Sequence, residues 1–246
     1  MKKVIVSVVF LIVFISCKQE KKEMSEVTTV EETKVLENDW EILFDGTSLE
    51  QWKEFKTNGV SDAWKIEGEA LVYTPPTEGE EKKNHDLVTK KEYANFVLSL
   101  DWKISEAGNS GVFWGISEDE KFDKSYHTGP EIQILDNDKH PDAKAGTTHQ
   151  AGALYDMVSP AKDATKPIGE WNTMVITVDH KENKGNVVLN GIEMVTFPVQ
   201  GDEWDAMVAD SKFAGWDGFG KFTTGKIGLQ DHGNVVAFRN IKIKQL

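Results

Sequence analysis

Alternation of apolar and polar side chains with a period of two constrains the fold of this chain more than any other feature. The stretch FVLSLDWKI at 96–104 places five large apolar residues on one face and four smaller or polar residues on the other. That pattern is typical of a half-buried β-strand. NTMVITVDH at 172–180 repeats it less strictly, and KIGLQ at 226–230 and VVAFRNIKIK at 235–244 predict two more strands.

Turn residues separate these apolar runs. Asn190-Gly191 divides the stretch VVLNGIEMVTF, which predicts a β-hairpin. The best helix candidates are short, a turn or two near 48–52 or 203–209. Many short strands joined by Gly and Asn turns predict an all-β fold, an antiparallel β-sandwich.

The N-terminus has the pattern of a targeting segment. Two lysines precede the apolar run VIVSVVFLIVFIS, which is shorter than the ~20 residues of a transmembrane helix. We predict a bacterial lipoprotein signal peptide at 1–16, cleaved before Cys17, which is then lipidated; the alternative is an ordinary signal peptide with an incidental cysteine. A lipidated flexible tether at 17–39 and one folded domain at 40–246 follow. This organisation predicts a lipid anchor on the bacterial outer membrane, on its periplasmic or surface face.

Composition narrows the possible partners. The net charge of −13 disfavours nucleic acid, because phosphate binding needs clustered Lys and Arg. Cys17 is the only cysteine, so an intramolecular disulfide is impossible. Eight tryptophans fit a sandwich core, and they also fit a sugar-binding cleft, because the indole face packs on sugar C–H groups.

Polar side chains interrupt an otherwise apolar strand in GPEIQILDND at 129–138. Strand parity places Glu131 and Gln133 on one face and Ile132 and Ile134 on the core face. A carboxylate and an amide side by side on an exposed, concave face suit sugar hydroxyls, or they hold and tune a catalytic acid. The alternative is the ordinary polar outer face of a sandwich.

Oxygen-rich side chains follow this strand in DNDKHPD at 136–142. Carboxylate and amide oxygens are the ligands that Ca²⁺ prefers, so Asp136 and Asp138 are candidate metal ligands. The same residue types are common in turns, and no EF-hand spacing is present.

Several single residues are candidates for binding or proton transfer. Arg239 is the only arginine and lies within an apolar strand, so it forms either a forked contact to substrate or an internal salt bridge. A histidine can act as acid or base near neutral pH. His232 stands directly before the last strand, and the alternative for it is a turn residue that caps a carbonyl. His149 leads towards Tyr155, and His127 is a weaker candidate.

Nine motifs together resemble the 3-keto-disaccharide hydrolase domain family, in the family's order and over about 40–246. They are LFDGTSLEQWKEF (43–55), WKIEGEALV (64–72), NSGVFWG (109–115), GPEIQILDND (129–138), GALYDM (152–157), GEWNTMVI (169–176), VVLNG (187–191), GKIGLQDHG (225–233) and FRNIKIK (238–244). The resemblance implies a concanavalin A-like jelly-roll β-sandwich of two antiparallel sheets.

The resemblance also implies a hydrolase that cleaves the glycosidic bonds of 3-keto-glycosides and 3-keto-disaccharides by acid- and base-assisted elimination and hydration. Glu131 and His232 are the expected acid and base, in either order. The predicted substrate-binding residues are Gln133, His149, Tyr155 and Arg239. A divalent cation is a possible cofactor that polarises the ketone.

Two alternatives stay open at this point. A conventional glycoside hydrolase needs two facing carboxylates, and Gln133 stands where the second would be expected. A non-catalytic carbohydrate-binding module on the same fold also agrees with the tryptophan content.

Overall fold

The computed structural model describes residues 39–76 and 84–246. The predicted signal peptide, Cys17 and the tether up to residue 38 lie outside the described residues, so the lipid anchor and the membrane location stay predictions. Within the described ranges, none of the helices is both long enough and apolar enough to span a bilayer.

Two antiparallel sheets contain the strands of the described residues, as the sequence predicts. The strands are β1 (Glu41–Phe44), β2 (Trp52–Glu54), β3 (Trp64–Glu67), β4 (Ala70–Tyr73), β5 (Leu87–Thr89), β6 (Phe96–Ile104), β7 (Asn109–Ile116), β8 (Glu131–Leu135), β9 (Asn172–Asp179), β10 (Lys184–Leu189), β11 (Ile192–Phe197), β12 (Lys226–Leu229) and β13 (Val236–Gln245). The larger sheet has the order β11-β10-β9-β6-β13-β4-β3, with β1 also paired to β13. The smaller sheet has the order β2-β5-β12-β7-β8.

Helical structure in the described residues is short. One α-helix, α1, spans Gly201–Ala209 and overlaps the second predicted helix position. Three 3₁₀ helices lie in the connections, at Ser125–His127, Pro141–Ala145 and Thr147–His149.

The predicted alternation is confirmed in β6, where every second residue is buried from Phe96 to Ile104. The predicted hairpin is also confirmed: β10 pairs with β11, and Asn190 and Gly191 have φ values of 51° and 79°. Both central residues of a tight type I′ turn need positive φ, which asparagine and glycine tolerate best.

The smaller sheet has one face in the sandwich core and one face turned away from the larger sheet. Ile132 and Ile134 of β8 join the core, as parity predicts. Trp114 of β7 lies on the core side and stacks on Phe197 of the larger sheet, with ring centroids 5.8 Å apart. The opposite face of the smaller sheet is the one that displays Glu131.

The segment around residues 152–155 lies along the edge of β8 and borders that opposite face. The backbone N–H groups of Gly152 and Tyr155 donate to the carbonyls of Gln133 and Glu131, at 2.9 and 3.0 Å. Consequently Glu131 and Gln133 are only 7% and 1% exposed. The sequence predicts an exposed concave face, whereas the structure buries both side chains, because the segment after β8 packs alongside it.

Arg239 lies on the outer face of the larger sheet, opposite the buried Phe238. Its Nε donates to Asp101 Oδ2 at 3.2 Å, and its guanidinium carbon lies 4.2 Å from the Trp171 ring centroid. Arg239 is therefore on a different sheet from Glu131. The predicted substrate contact is not supported, and of the two interpretations the internal salt bridge is the one that the structure shows.

We predict that Arg239→Ala lowers the free energy of unfolding by roughly 1 kcal/mol, since it removes a partly exposed ion pair and a cation–π contact. Arg239→Lys should recover part of the loss, because it keeps the charge without the planar guanidinium. Chemical denaturation of the three proteins measures the difference, and equal stability of all three would contradict the assignment.

Candidate active site

A cavity of about 320 Å³ opens on the outward face of the smaller sheet. A volume of this size is at the lower end of the range found for small-molecule sites. Strands supply its floor, and the segments around 126, 155 and 212–216 supply its walls. The lining residues are Asn109, Tyr126, Gly129, Glu131, Gln133, Tyr155, Lys212, Phe213, Trp216, Gln230 and His232. Four of the residues predicted from the sequence thus meet in one place: Glu131, Gln133, Tyr155 and His232.

The Glu131 carboxyl lies over the backbone of the neighbouring strand. In the pairing of β7 with β8, Gly111 is opposite Gln133 and Phe113 is opposite Glu131. A Cβ atom at Gly111 would overlap the Glu131 carboxyl group, so glycine is the residue that leaves room for it. The packing of one strand therefore fixes the position of the acid on the next.

Burial changes the proton affinity of this acid. Desolvation raises the pKa of Glu131 to about 8, against an ordinary value of 4.5. The positive charge of Lys212 lowers it, the negative charges of Asp86 and Asp142 raise it further, and a hydrogen bond with Gln230 lowers it slightly. The carboxyl is thus protonated at neutral pH and can donate a proton.

Three side-chain amides of the cavity lining have unpaired oxygen atoms. The Oδ1 of Asn109 and the Oε1 atoms of Gln133 and Gln230 are buried without a hydrogen-bond partner. Unpaired buried acceptors are costly unless something donates to them. All three residues line the cavity, so the arrangement suits a ligand rich in hydroxyl groups.

His232 lies at the exposed rim of the cavity. Its Nε2 is 3.4 Å from Asn109 Nδ2, and its ring centroid is 5.7 Å from that of His140. Burial lowers the pKa of His140, and the charge of His232 lowers it further. His140 Nδ1 accepts from the backbone N–H of Asp142. Of the two rings, that of His232 lines the cavity, whereas that of His140 does not.

His149 stands behind the cavity wall. Its Nδ1 and Nε2 contact the carboxylates of Asp142 and Asp156 at 2.8 and 2.9 Å. Tyr155 donates its hydroxyl to the other oxygen of Asp142 at 2.9 Å. His149 therefore orders the support of Tyr155, and its predicted contact to substrate is not supported.

The same support positions a cation that sequence reasoning missed. Asp156 Oδ2 accepts the backbone N–H of Lys212 at 2.6 Å, and Lys212 Nζ lies 4.0 Å from the Tyr155 ring centroid. Although burial alone would raise the pKa of Asp142, hydrogen bonds from His149 and Tyr155 lower it. A carboxylate and an ammonium are thus held beside the cavity by fixed contacts.

Asp86 and Asp231 form a pair of acids close to Gln230. The backbone N–H of Asp231 donates to Asp86 Oδ1 at 3.0 Å, and the Ser125 hydroxyl donates to Asp86 Oδ2. Burial raises the pKa of Asp86, and repulsion from Asp231 raises it further. Asp86 belongs to no motif that the sequence analysis identified. The register of β5 with β12 places it on the same outward face as Gln230.

The predicted cation site after β8 has no support in the geometry. Asp136 is 2% exposed and accepts the backbone N–H groups of Ala107, Asp138 and Lys139. The Asp136 carboxylate oxygens therefore cap turns and are already engaged by backbone N–H groups. Within residues 39–76 and 84–246, no three His, Cys, Asp or Glu side chains are grouped to hold a metal.

The cavity itself is also a poor fit for a divalent cation. Its lining contains a single carboxyl, Glu131, whose pKa is raised, and it contains the ammonium of Lys212. Hard cations such as Mg²⁺ and Ca²⁺ favour ionised oxygen ligands without a neighbouring positive charge. The residues that line the cavity therefore do not fit a divalent cation.

Comparison with known proteins agrees with this fold. The model of the 3-keto-alpha-glucoside-1,2-lyase-like domain matches residues 39–244. The chain belongs to this family. A 3-keto-disaccharide hydrolase from Bacteroides thetaiotaomicron is 34% identical, with 83% of this chain and 77% of the relative covered. The resemblance seen in the sequence motifs is thereby confirmed.

Solved structures confirm the predicted fold. A candidate glycosyl hydrolase from Parabacteroides distasonis superposes with a TM-score of 0.77 at 32% identity, covering 88% of this chain and 97% of its own. A second candidate glycosyl hydrolase from that organism gives a TM-score of 0.64 at 28% identity, covering 85% and 100%. The jelly-roll sandwich expected for this 3-keto-alpha-glucoside-1,2-lyase-like chain is therefore established.

We predict that Glu131 titrates near pH 8, and that Asp86→Asn lowers this pKa. The sign follows because the Asp86 carboxylate repels the ionised form of Glu131, so its removal favours ionisation. NMR detection of the Glu131 side-chain carboxyl carbon during a pH titration measures both values.

Asp202→Asn is the matched control for this titration, because Asp202 is exposed on α1. It removes the same charge away from the cavity and should leave the Glu131 titration unchanged. A wild-type Glu131 that titrates near its ordinary pKa of 4.5 would refute the buried-acid assignment.

Proposed function

We propose that this protein hydrolyses the glycosidic bond of 3-keto-glycosides, 3-keto-disaccharides among them, by elimination followed by addition of water. Membership of the 3-keto-alpha-glucoside-1,2-lyase-like family and the relative named a 3-keto-disaccharide hydrolase support a carbohydrate hydrolase. The observation that carries the finer proposal is Glu131, a buried, protonated carboxyl in a cavity whose other polar side chains are amides, two tyrosines, a lysine and a histidine.

The chemistry depends on the ketone of the substrate. A carbonyl at C3 acidifies the proton at C2, so a base can remove it and leave an enolate. The electron pair then forms the C1=C2 double bond while the bond from C1 to the glycosidic oxygen breaks, and an acid protonates that oxygen. Water adds to C1 of the resulting enone and a proton returns to C2, so the sum of both steps is hydrolysis.

Three groups of the cavity match the three needs of this reaction. Glu131 is protonated at neutral pH and serves as the acid for the leaving oxygen. His232, at the rim, serves as the base at C2. The Lys212 ammonium, which lies over the Tyr155 ring beside the cavity, stabilises the enolate oxygen, because a nearby positive charge favours developing negative charge.

The free amide oxygens orient the sugar. Asn109, Gln133 and Gln230 can each accept one substrate hydroxyl, which fixes the ring relative to the acid and the base. The same contacts satisfy acceptors that would otherwise stay buried and unpaired.

The geometry favours this reaction over conventional glycoside hydrolysis. That mechanism requires two carboxyl groups facing one another across the scissile bond. Among the described residues that line the cavity, Glu131 is the only carboxylic acid. The nearby Asp142 is already engaged by Tyr155 and His149, which leaves it no role at the glycosidic bond.

We predict that the purified protein cleaves 3-keto-glucosides and 3-keto-disaccharides and leaves the unoxidised parent glycosides intact. Glu131→Gln and His232→Ala should each lower kcat/KM by roughly 10²–10⁴-fold, the usual loss when general acid or base catalysis is removed. Mass spectrometry of paired oxidised and unoxidised substrates measures the products.

Residues of the same types outside the cavity provide matched controls. Glu203→Gln on α1 changes an exposed carboxyl outside the cavity, and His180→Ala removes a histidine that does not line it. Both should retain wild-type kcat/KM. Equal cleavage of unoxidised glycosides would support the conventional mechanism, and glycan binding without turnover would support a binding module.

A further inference from the structure

Trp216 separates the cavity from a neighbouring groove of about 330 Å³. The ring lines both spaces and is partly exposed. Besides Trp216, the groove is lined by Lys121, Phe122, His127, Asp217 and two glycines. One aromatic side chain thus joins the candidate active site to a second space that none of the steps above uses.

Neighbouring aromatic rings hold Trp216 in place. Phe213, His127 and Phe219 each meet it nearly perpendicularly, with centroids 5.3, 5.6 and 6.3 Å away. Tyr126, on the cavity wall, lies 6.2 Å from it. A ring fixed from several sides loses little conformational entropy when a ligand packs on it, which is the property of a binding platform.

The strand register divides the cavity into two halves about Glu131. Gln133 and Asn109 lie towards the end of β8 and the start of β7, and His232 contacts Asn109. Gly129 and the 3₁₀ helix Ser125–His127 precede Glu131, on its other side along the chain. The amides and the base thus occupy one half, and the aromatic wall with Trp216 occupies the other.

We propose that the groove beyond Trp216 binds the sugar ring that leaves, with Trp216 as its platform. This inference rests on the proposed function, in which His232 acts at C2 of the oxidised ring and Glu131 protonates the glycosidic oxygen. The oxidised ring then lies over the amides. The ring attached to the protonated oxygen extends past Glu131, towards the aromatic half.

The chemistry of the groove fits a pyranose. A sugar ring offers a C–H face, which packs on an indole, and hydroxyl groups around its edge, which exchange hydrogen bonds. Trp216 supplies the face, and Lys121, His127 and Asp217 supply donors and an acceptor around it. A purely apolar leaving group would exchange no hydrogen bonds with these side chains, so the groove favours a second sugar.

The test compares two substrates that share the oxidised ring. One is a 3-keto-disaccharide, and the other is a methyl 3-keto-glucoside, whose leaving group is too small to enter the groove. Trp216→Ala should raise KM for the disaccharide by about tenfold or more, which corresponds to one stacking contact of roughly 1.4 kcal/mol. The increase in KM should be clearly smaller for the methyl glycoside, because only the disaccharide places a second ring on Trp216.

Milder variants guard against misfolding. Lys121→Ala and Asp217→Asn change exposed side chains of the groove and should each raise KM for the disaccharide alone. Equal losses on both substrates, or no loss on the disaccharide for any of the three variants, would overturn the assignment of the groove.

A binding measurement separates this inference from the proposed function. Titration of wild-type protein with glucose, followed by the indole N–H resonance of Trp216, should show a saturable shift that Asp217→Asn weakens. The resonance is assigned from its loss in Trp216→Phe. If neither substrate is cleaved, the proposed function fails and this titration alone decides the groove: a shift that Asp217→Asn weakens supports sugar binding there, and a shift that Asp217→Asn leaves unchanged, or no shift, refutes it.

Discussion

Burial of the Glu131 carboxyl over Gly111 is the contact on which the rest of the site depends. Glycine on β7 makes room for the acid, and the segment that runs along the edge of β8 removes it from water. Desolvation then raises the pKa of Glu131. A single small residue on a neighbouring strand therefore converts an ordinary strand glutamate into a proton donor at neutral pH.

Support for this acid is distributed over several separate segments. Burial is the main cause of the raised pKa of Glu131, and the negative charge of Asp86 adds to it. Asp142, His149 and Tyr155 form a hydrogen-bonded wall that carries Lys212. The sandwich core fixes the floor through Ile132 and Ile134, so Glu131, on the same strand, is carried by packed structure.

The sequence predicted the strands and the hairpin better than it predicted the candidate active site. Period-two alternation and the Asn190-Gly191 turn were sufficient for β6 and the hairpin, because burial and turn chemistry are local properties. Parity also placed Glu131 and Gln133 on one face, but it could not show that a later segment buries them. Lys212 and Trp216 come from a loop far along the chain, where no alternation of apolar and polar residues predicts the positions of side chains. For Arg239 the sequence left a substrate contact and an internal salt bridge open, because the pattern within one strand does not reveal on which sheet that strand lies; the structure pairs Arg239 with Asp101.

The central claim is that cleavage proceeds through loss of the proton at C2. Cleavage of a 3-keto-disaccharide in D₂O tests it most directly, with the isotope content of the released 3-keto-sugar measured early, before the free sugar exchanges by itself. The account predicts one deuterium at C2 in each released molecule, because the proton that returns to C2 comes from solvent. Release of a sugar that retains its original hydrogen at C2 would contradict elimination and indicate direct displacement at C1.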